Sequence, residues 1–116
     1  MPEPRLLGTV IQLLLPSIKM KSYSPRGIPF EREFHDYLLR NFSGYTVASG
    51  NITGYWRREG RNEDCNEHRE YQIALNGEKE RLSLEKRVSN LAKELGEQTI
   101  FCQVNGRAYL IQAEEG

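Results

Sequence analysis

The sequence has few of the residues that usually bind metals or act as nucleophiles. Its 116 residues include two cysteines, two histidines and one tryptophan. Two cysteines form at most one bridge, which excludes a scaffold held together by several disulfides. We therefore expect two reduced thiols, with Cys102 buried in a strand and Cys65 in a loop.

The sequence also lacks an excess of charge of either sign. Lysine plus arginine and aspartate plus glutamate each number 16, so the formal net charge is zero. A protein that neutralises nucleic-acid phosphates usually needs a basic surface, so nucleic acid is a disfavoured partner. Neutrality also removes repulsion between copies, which favours self-association.

No apolar run is long enough to span a bilayer. The longest, residues 6–15, is interrupted by Gln12 and is followed by no small-residue cleavage site. Its content of Leu, Val and Ile favours a buried strand. We therefore expect no membrane contact, and we expect a cytoplasmic protein.

The length and the hydrophobic patterns predict a single domain over residues 1–116. Alternating and helical spacings give the order β-α-β-β-α-β with one short strand added at the end. Strands are expected over residues 6–15, 44–56, 68–75, 98–104 and 107–112, and helices over 30–42 and 80–96. A bulge or bend is expected near Gly50, and Asn105-Gly106 predicts a two-residue hairpin turn before the last strand. This order predicts an α+β, ferredoxin-like βαββαβ plait, in which a four-stranded antiparallel sheet carries both helices on one face.

Such a plait leaves the second face of its sheet uncovered within one copy. We expect a second copy to cover it, which gives a homodimer or higher homo-oligomer. Four residues of the predicted strands could supply apolar contacts there: Tyr45, Val47, Phe101 and Tyr109.

A polar segment, residues 57–67, separates two predicted strands and lies within GYWRREGRNEDCNEHREY. Guanidinium groups beside aromatic rings can hold an anion and stack a planar group. Neighbouring carboxylates neutralise much of that field, which favours a small anionic ligand over nucleic acid. The candidate ligand-binding residues are Trp56, Arg57, Arg58, Arg61 and Glu67. The alternative, a solvated hairpin tip with no ligand, stays open.

Metal and catalytic signals are weak. Cys65 and His68 have a C-x-x-H spacing, but a structural zinc site needs four ligands, so we predict no metal. His68, beside Glu70 on a strand face, and His35 are the weak catalytic candidates, and no cofactor motif appears. We therefore predict a non-enzymatic ligand-binding or regulatory module without a cofactor. The alternative is a small enzyme of the dimeric α+β-barrel type that uses a histidine in a cleft.

About half of the chain resembles an uncharacterised family of small bacterial proteins. That family has a G-x-T-V element, a glycine, a W-R-x-x-G turn, a glutamate before the next strand and a glutamine before the last. The matching residues are Gly44, Thr46, Val47, Gly50, Trp56, Arg57, Gly60, Glu67 and Gln98. The resemblance implies the plait fold and no activity. A looser similarity in topology links the chain to PII-like signalling proteins, which have a long loop between the second and third strands.

Overall fold

The chain forms an α+β structure with three helices and six strands among the residues described. The computed structural model describes residues 2–56 and 64–115, without the side chains of residue 56 and residues 64–66. The strands are β1 (Thr9–Pro16), β2 (Tyr45–Val47), β3 (Ile52–Trp56), β4 (Asp64–Leu75), β5 (Thr99–Val104) and β6 (Arg107–Gln112). The helices are α1 (Ser17–Lys21), α2 (Phe30–Asn41) and α3 (Glu78–Leu95).

All six strands belong to one antiparallel sheet in the order β2-β4-β1-β5-β6, and β3 also pairs with β4. The single strand predicted over residues 44–56 is wrong, because β2 and β3 are separate. Val47 lies opposite Tyr71 and Ile52 lies opposite His68. Residues 48–51 therefore face only two residues of β4, and the two extra residues interrupt the strand where a bend was expected.

The core lies between one face of the sheet and the helices. Leu13 of β1 is flanked by Tyr71 of β4 and Cys102 of β5, and all three are buried. Two helical rows cover this face: Phe30, Phe34 and Leu38 from α2, and Leu84, Val88, Leu91 and Leu95 from α3. Fully burying one such side chain contributes roughly 1.5–3 kcal/mol.

An arginine joins the two long helices at the surface. The Arg26 guanidinium donates to Glu33 of α2 at 2.7 Å and to Glu94 of α3 at 2.7 Å. The hydrogen bond from Arg26 holds the pKa of the Glu33 carboxyl below its usual value. Glu31 and Glu33 also lie in the first turn of α2, where the helix dipole favours negative charge.

The register corrects the prediction about the uncovered face. Tyr45 lies opposite Ile73, Val47 opposite Tyr71, and Tyr109 opposite Cys102. Because paired residues share a face, these three side chains lie on the side that the helices cover. Only Phe101, which lies opposite Leu14 and Leu110, is on the other side.

Two further boundaries differ from the prediction. A one-turn helix, α1, forms where a loop was expected, and the Ser17 hydroxyl there donates to the Glu67 carbonyl at 3.1 Å. Strand β4 begins at Asp64, so residues 64–67 of the polar segment are strand, while residues 57–63 lie outside the described part. None of the helices described is long and apolar enough to cross a membrane.

Candidate functional site

A cleft lined by described residues lies where α3 begins, beside the turn between β5 and β6. It has a volume of about 580 Å³. We call it the hairpin cleft, and its lining includes Glu78, Arg81, Val104, Arg107 and Tyr109. The local sequence determines both of its walls, because Asn105-Gly106 makes a two-residue turn with positive φ at both positions. Gly77, also at positive φ, lets the chain enter α3 directly from β4.

Two arginines give the hairpin cleft its charge. Arg81 forms an ion pair with Glu78 and another with Glu85 at 2.6 Å, and it lowers the pKa of Glu78. Arg107 is exposed at the rim. Tyr109 also lines the cleft, with 47% of its surface exposed. The cleft therefore combines guanidinium groups with an accessible aromatic ring, which can hold an anion attached to a planar group.

A second depression of about 460 Å³ continues along the outer side of α3. We call it the edge groove. Its helical wall carries Leu82, Glu85 and Lys86, and its floor is the edge strand β6 from Tyr109 to Gln112. Arg81 and Tyr109 line both depressions, so the two are adjacent.

A histidine and two tyrosines form a separate cluster where α2 covers β2 and β4. The His35 Nδ1 atom lies 2.7 Å from the Tyr45 hydroxyl oxygen. The Tyr45 ring stacks on Tyr71 with centroids 5.8 Å apart, and Phe34 meets the Tyr71 ring edge-on. His35 is therefore half-buried and connects α2 to the strand at the edge of the sheet.

Burial favours the neutral form of both phenols. It raises the pKa of Tyr71 to about 12, and the Tyr45 phenol and the Glu31 carboxylate add to the rise. Burial also raises the pKa of Tyr45, followed by the negative charges of Asp36 and Glu31. At neutral pH Tyr45 therefore keeps its proton, so it can donate that proton to Nδ1 of a neutral His35.

Most of the predicted ligand-binding residues lie where the structure gives no side-chain position. Arg57, Arg58 and Arg61 are outside the described residues, and Trp56 is described only in its backbone, as the last residue of β3. Glu67 is exposed and accepts a hydrogen bond from the Asn51 amide at 3.3 Å. The predicted ligand set therefore stays a prediction.

Within the described part of the chain, the structure does not bring the weak metal and catalytic candidates together. Cys65 pairs with Tyr55 in the backbone register, and its side chain is outside the description. His68 lies inside β4, rather than at its start, and is buried opposite Pro16 and Ile52. Within residues 2–56 and 64–115, no three potential ligands cluster as a metal site would require.

Cys102 is a free thiol in the core, as predicted. Burial raises the pKa of its thiol to about 11. Because the thiolate is the reactive form, this cysteine is a poor nucleophile. Its role is to fill space between the sheet and α3.

The hairpin cleft was missed by reasoning from the sequence alone. Arg107 and Tyr109 lie two residues apart on a predicted strand, and Arg81 belongs to a predicted helix. Tyr109 was expected to contact a second copy, and no role was predicted for either arginine. The Asn105-Gly106 signal predicted the turn but not its position beside the start of α3. Comparisons with protein-family models, with curated proteins and with solved structures give no match.

Proposed function

We propose that this chain is a non-enzymatic module that binds a small anionic ligand and acts as a homo-oligomer. The observation that supports it is the hairpin cleft. Its volume, about 580 Å³, falls within the roughly 300–1,000 Å³ of small-molecule sites. Arg81, Arg107 and Tyr109 line it, so charge and an aromatic surface are present together.

An anion can compete for these arginines at small cost. The Glu78 side chain that pairs with Arg81 is 66% exposed, and an ion pair in water contributes little to stability. A ligand carboxylate or phosphate would replace Glu78 with another charge-assisted hydrogen bond and gain a second one from Arg107. Val104 and Tyr109 offer an apolar wall to a ring attached to that anion. We therefore expect a small planar carboxylate or phosphate ester.

A thermal-shift screen followed by calorimetry tests this assignment. The probes are inorganic phosphate, citrate, benzoate, AMP and ATP. A probe at a hundred times its dissociation constant would stabilise the folded state by ~2.7 kcal/mol. We expect at least one planar anion to raise Tm and its effect to disappear in Arg107→Ala.

Arg40→Ala is the matched control, because Arg40 is exposed at the end of α2, far along the chain from the cleft. It should bind the probe as the wild type does. If no anion in the panel binds, the proposed function is wrong. Equal binding by wild type and Arg107→Ala would remove the hairpin cleft as the site.

The predicted set around Trp56, Arg57, Arg58, Arg61 and Glu67 is the competing location for the same ligand. A variant with Arg57, Arg58 and Arg61 all changed to alanine separates the two. Loss of binding in this variant alone would assign the ligand to that segment. Loss in Arg107→Ala alone assigns it to the hairpin cleft.

We further propose that the sheet is a ferredoxin-like plait with two additions. If β2 and β3 are counted as one interrupted strand, the first four positions of the sheet are β2 with β3, then β4, β1 and β5. This is the strand order of a split βαβ arrangement. Strand β6 extends one edge and α1 follows β1. The relationship to the uncharacterised bacterial family and a cytoplasmic location belong to the same proposal. A crystal structure with a different strand order would refute the plait.

One observation favours a second function, a small acid–base enzyme. The 2.7 Å contact of His35 with Tyr45 is the arrangement of an orienting phenol and a general base. His35 lines neither the hairpin cleft nor the edge groove, which is why we prefer the binding function. Turnover of p-nitrophenyl esters that disappears in both His35→Gln and Tyr45→Phe would support the enzyme. Equal rates in the wild type and His35→Gln would exclude it for that substrate class.

A further inference from the structure

The outer edge of β6 presents backbone groups that no described residue pairs with. Strand β6 ends the sheet order, and Val104 and Arg107 flank its two-residue turn as a hydrogen-bonded pair. Along the hairpin, hydrogen-bonded pairs alternate with non-hydrogen-bonded pairs, which we call open pairs. Tyr109 and Ile111 therefore turn their N–H and C=O groups toward β5. Ala108 and Leu110 turn theirs outward. The Gln112 carbonyl accepts the Ser89 hydroxyl at 2.7 Å, so Ala108 and Leu110 form the available edge.

Two features that usually prevent strand pairing are missing from most of this edge. From Ala108 to Gln112 it contains no proline and no charged residue. The opposite edge of the sheet differs, because residues 48–51 interrupt it between β2 and β3. The two edges of this sheet are therefore unequal, and β6 is the one suited to accept another strand.

The edge groove leaves room for that strand. Helix α3 packs over both β5 and β6, and its outer side forms one wall of the groove. Leu82 at 55% and Tyr109 at 47% are exposed on the helix side of the sheet, and Leu110 is 54% exposed on the other side. A strand added beside β6 would bring neighbours to Tyr109 on one face and to Leu110 on the other, and burying apolar surface is the main favourable term in association.

We infer that β6 pairs with β6 of a second copy, antiparallel about a two-fold axis beside Tyr109. This inference names the surface of the homo-oligomer in the proposed function and rests on that part of it. Ala108 would exchange two backbone hydrogen bonds with Leu110 of the partner subunit, and Leu110 would exchange two with Ala108 of the partner subunit. A small residue therefore faces a large one at both positions. Tyr109 would face Tyr109 of the partner subunit as an open pair.

The position of helix α3 favours a second copy of this chain, rather than an unrelated peptide, as the partner of β6. Strands lie ~4.8 Å apart, so two α3 helices placed over β5 and β6 on either side of the axis would be ~10 Å apart. Packed helices are separated by roughly 8–10 Å, so α3 would contact α3 of the partner subunit. That contact adds to the strand pairing, which alone would bury less than the roughly 800 Å² per partner of a stable interface. Glu85 and Lys86 on the groove wall offer opposite charges across the axis.

The hairpin cleft gains a wall in this arrangement. Arg107 at its rim would lie opposite Ile111 of the partner subunit, two residues from the axis. The ligand site of the proposed function would thus be bordered by both copies. An isolated peptide strand could pair with Ala108 and Leu110 but could not provide the contact between helices.

Analytical ultracentrifugation between ~5 and ~200 μM, a range that covers weak and moderate dissociation constants, tests the inference. We expect the wild type to be a dimer and Ala108→Pro to be a monomer, because proline removes an outward N–H without removing a bond to β5. Thr46→Lys, on the opposite edge, is the control and should stay dimeric. A monomeric wild type, or a dimer that Ala108→Pro leaves unchanged, would overturn the inference.

Cross-linking keeps the test valid if Ala108→Pro fails to fold. In a Cys65→Ser, Cys102→Ala background, Tyr109→Cys should oxidise to a disulfide-linked dimer, since open pairs bring Cα atoms to ~4.5 Å. Tyr23→Cys, at a more exposed site (70% against 47% for Tyr109) outside the strands, should nevertheless cross-link at least tenfold more slowly. Equal rates would contradict pairing through β6. Probe binding in the thermal-shift screen is a separate readout, so a dimer that binds no anion refutes only the ligand assignment.

Discussion

The Tyr45 hydroxyl lies 2.7 Å from Nδ1 of His35 and joins the edge strand β2 to helix α2. Strand β2 has only three residues, so side-chain contacts contribute much of what holds it in place. Tyr45 also stacks on Tyr71 of β4, whose side chain is buried. The two phenols therefore connect the short edge strand to the core, and their protonation is coupled to folding.

Alkaline pH should destabilise the protein through Tyr71. Its pKa rises from 10.0 in the unfolded chain to about 12 in the fold. The folded state then binds the proton where the unfolded state has lost it, so the stabilisation is complete below about pH 10 and decreases between 10 and 12. We expect a loss of ~1 kcal/mol between pH 9 and 11, measured by urea denaturation. Tyr71→Phe should lose less unfolding free energy between pH 9 and 11. Tyr23→Phe, at an exposed site, should show the same loss as the wild type. Identical pH slopes in all three proteins would contradict the assignment.

Leu38 and Leu39 provide an internal comparison in α2. Leu38 is fully buried and its neighbour Leu39 is 55% exposed. Leu38→Ala removes core contacts and leaves a cavity, which should cost ~2–5 kcal/mol of unfolding free energy. Leu39→Ala should change it by less than ~0.5 kcal/mol, since alanine is a good helix former. Chemical denaturation of both variants measures this difference, and similar losses would show that the face of α2 toward the sheet is misassigned.

Gly8 is required where the chain enters β1. It has φ of +129°, and a Cβ added there would lie 1.8 Å from the Leu75 carbonyl oxygen. We expect Gly8→Ala to destabilise the fold by ~2 kcal/mol or more, because both the backbone conformation and the contact are unfavourable. Gly44→Ala is the control, since an added Cβ there meets nothing within 4 Å. Thermal unfolding of the two variants should give clearly different Tm values, and a wild-type Tm for Gly8→Ala would disprove the close approach.

Cys102 should be unreactive until the protein unfolds. Burial raises its thiol pKa from 9.0 to about 11, which reduces the thiolate population at pH 8 by ~100-fold. In a Cys65→Ser background, we expect labelling by a disulfide reagent to be at least ~100-fold slower in buffer than in concentrated urea. Fast labelling of the native protein would mean that the core around β5 opens readily.

Local patterns predicted most of the elements. The stripe of Phe30, Phe34 and Leu38 defined α2, and Asn105-Gly106 defined the last hairpin with both ends of β6 correct. These features are readable because helical periodicity and turn chemistry depend on neighbours within a few residues. The interruption between β2 and β3 was visible only as a bend near Gly50, because its length depends on how β4 pairs with both segments.

The amino-acid sequence by itself determined the α+β class, the helical stripes, the neutral charge and the lack of a metal or cofactor motif. Only the tertiary structure decided which faces and edges these elements present. Tyr45, Val47 and Tyr109 were expected on the open face and lie on the covered one, because a side chain's face depends on register with another strand. The hairpin cleft has the same origin, since Arg81 and Arg107 are separated by 25 intervening residues and meet only when α3 begins beside the β5–β6 turn.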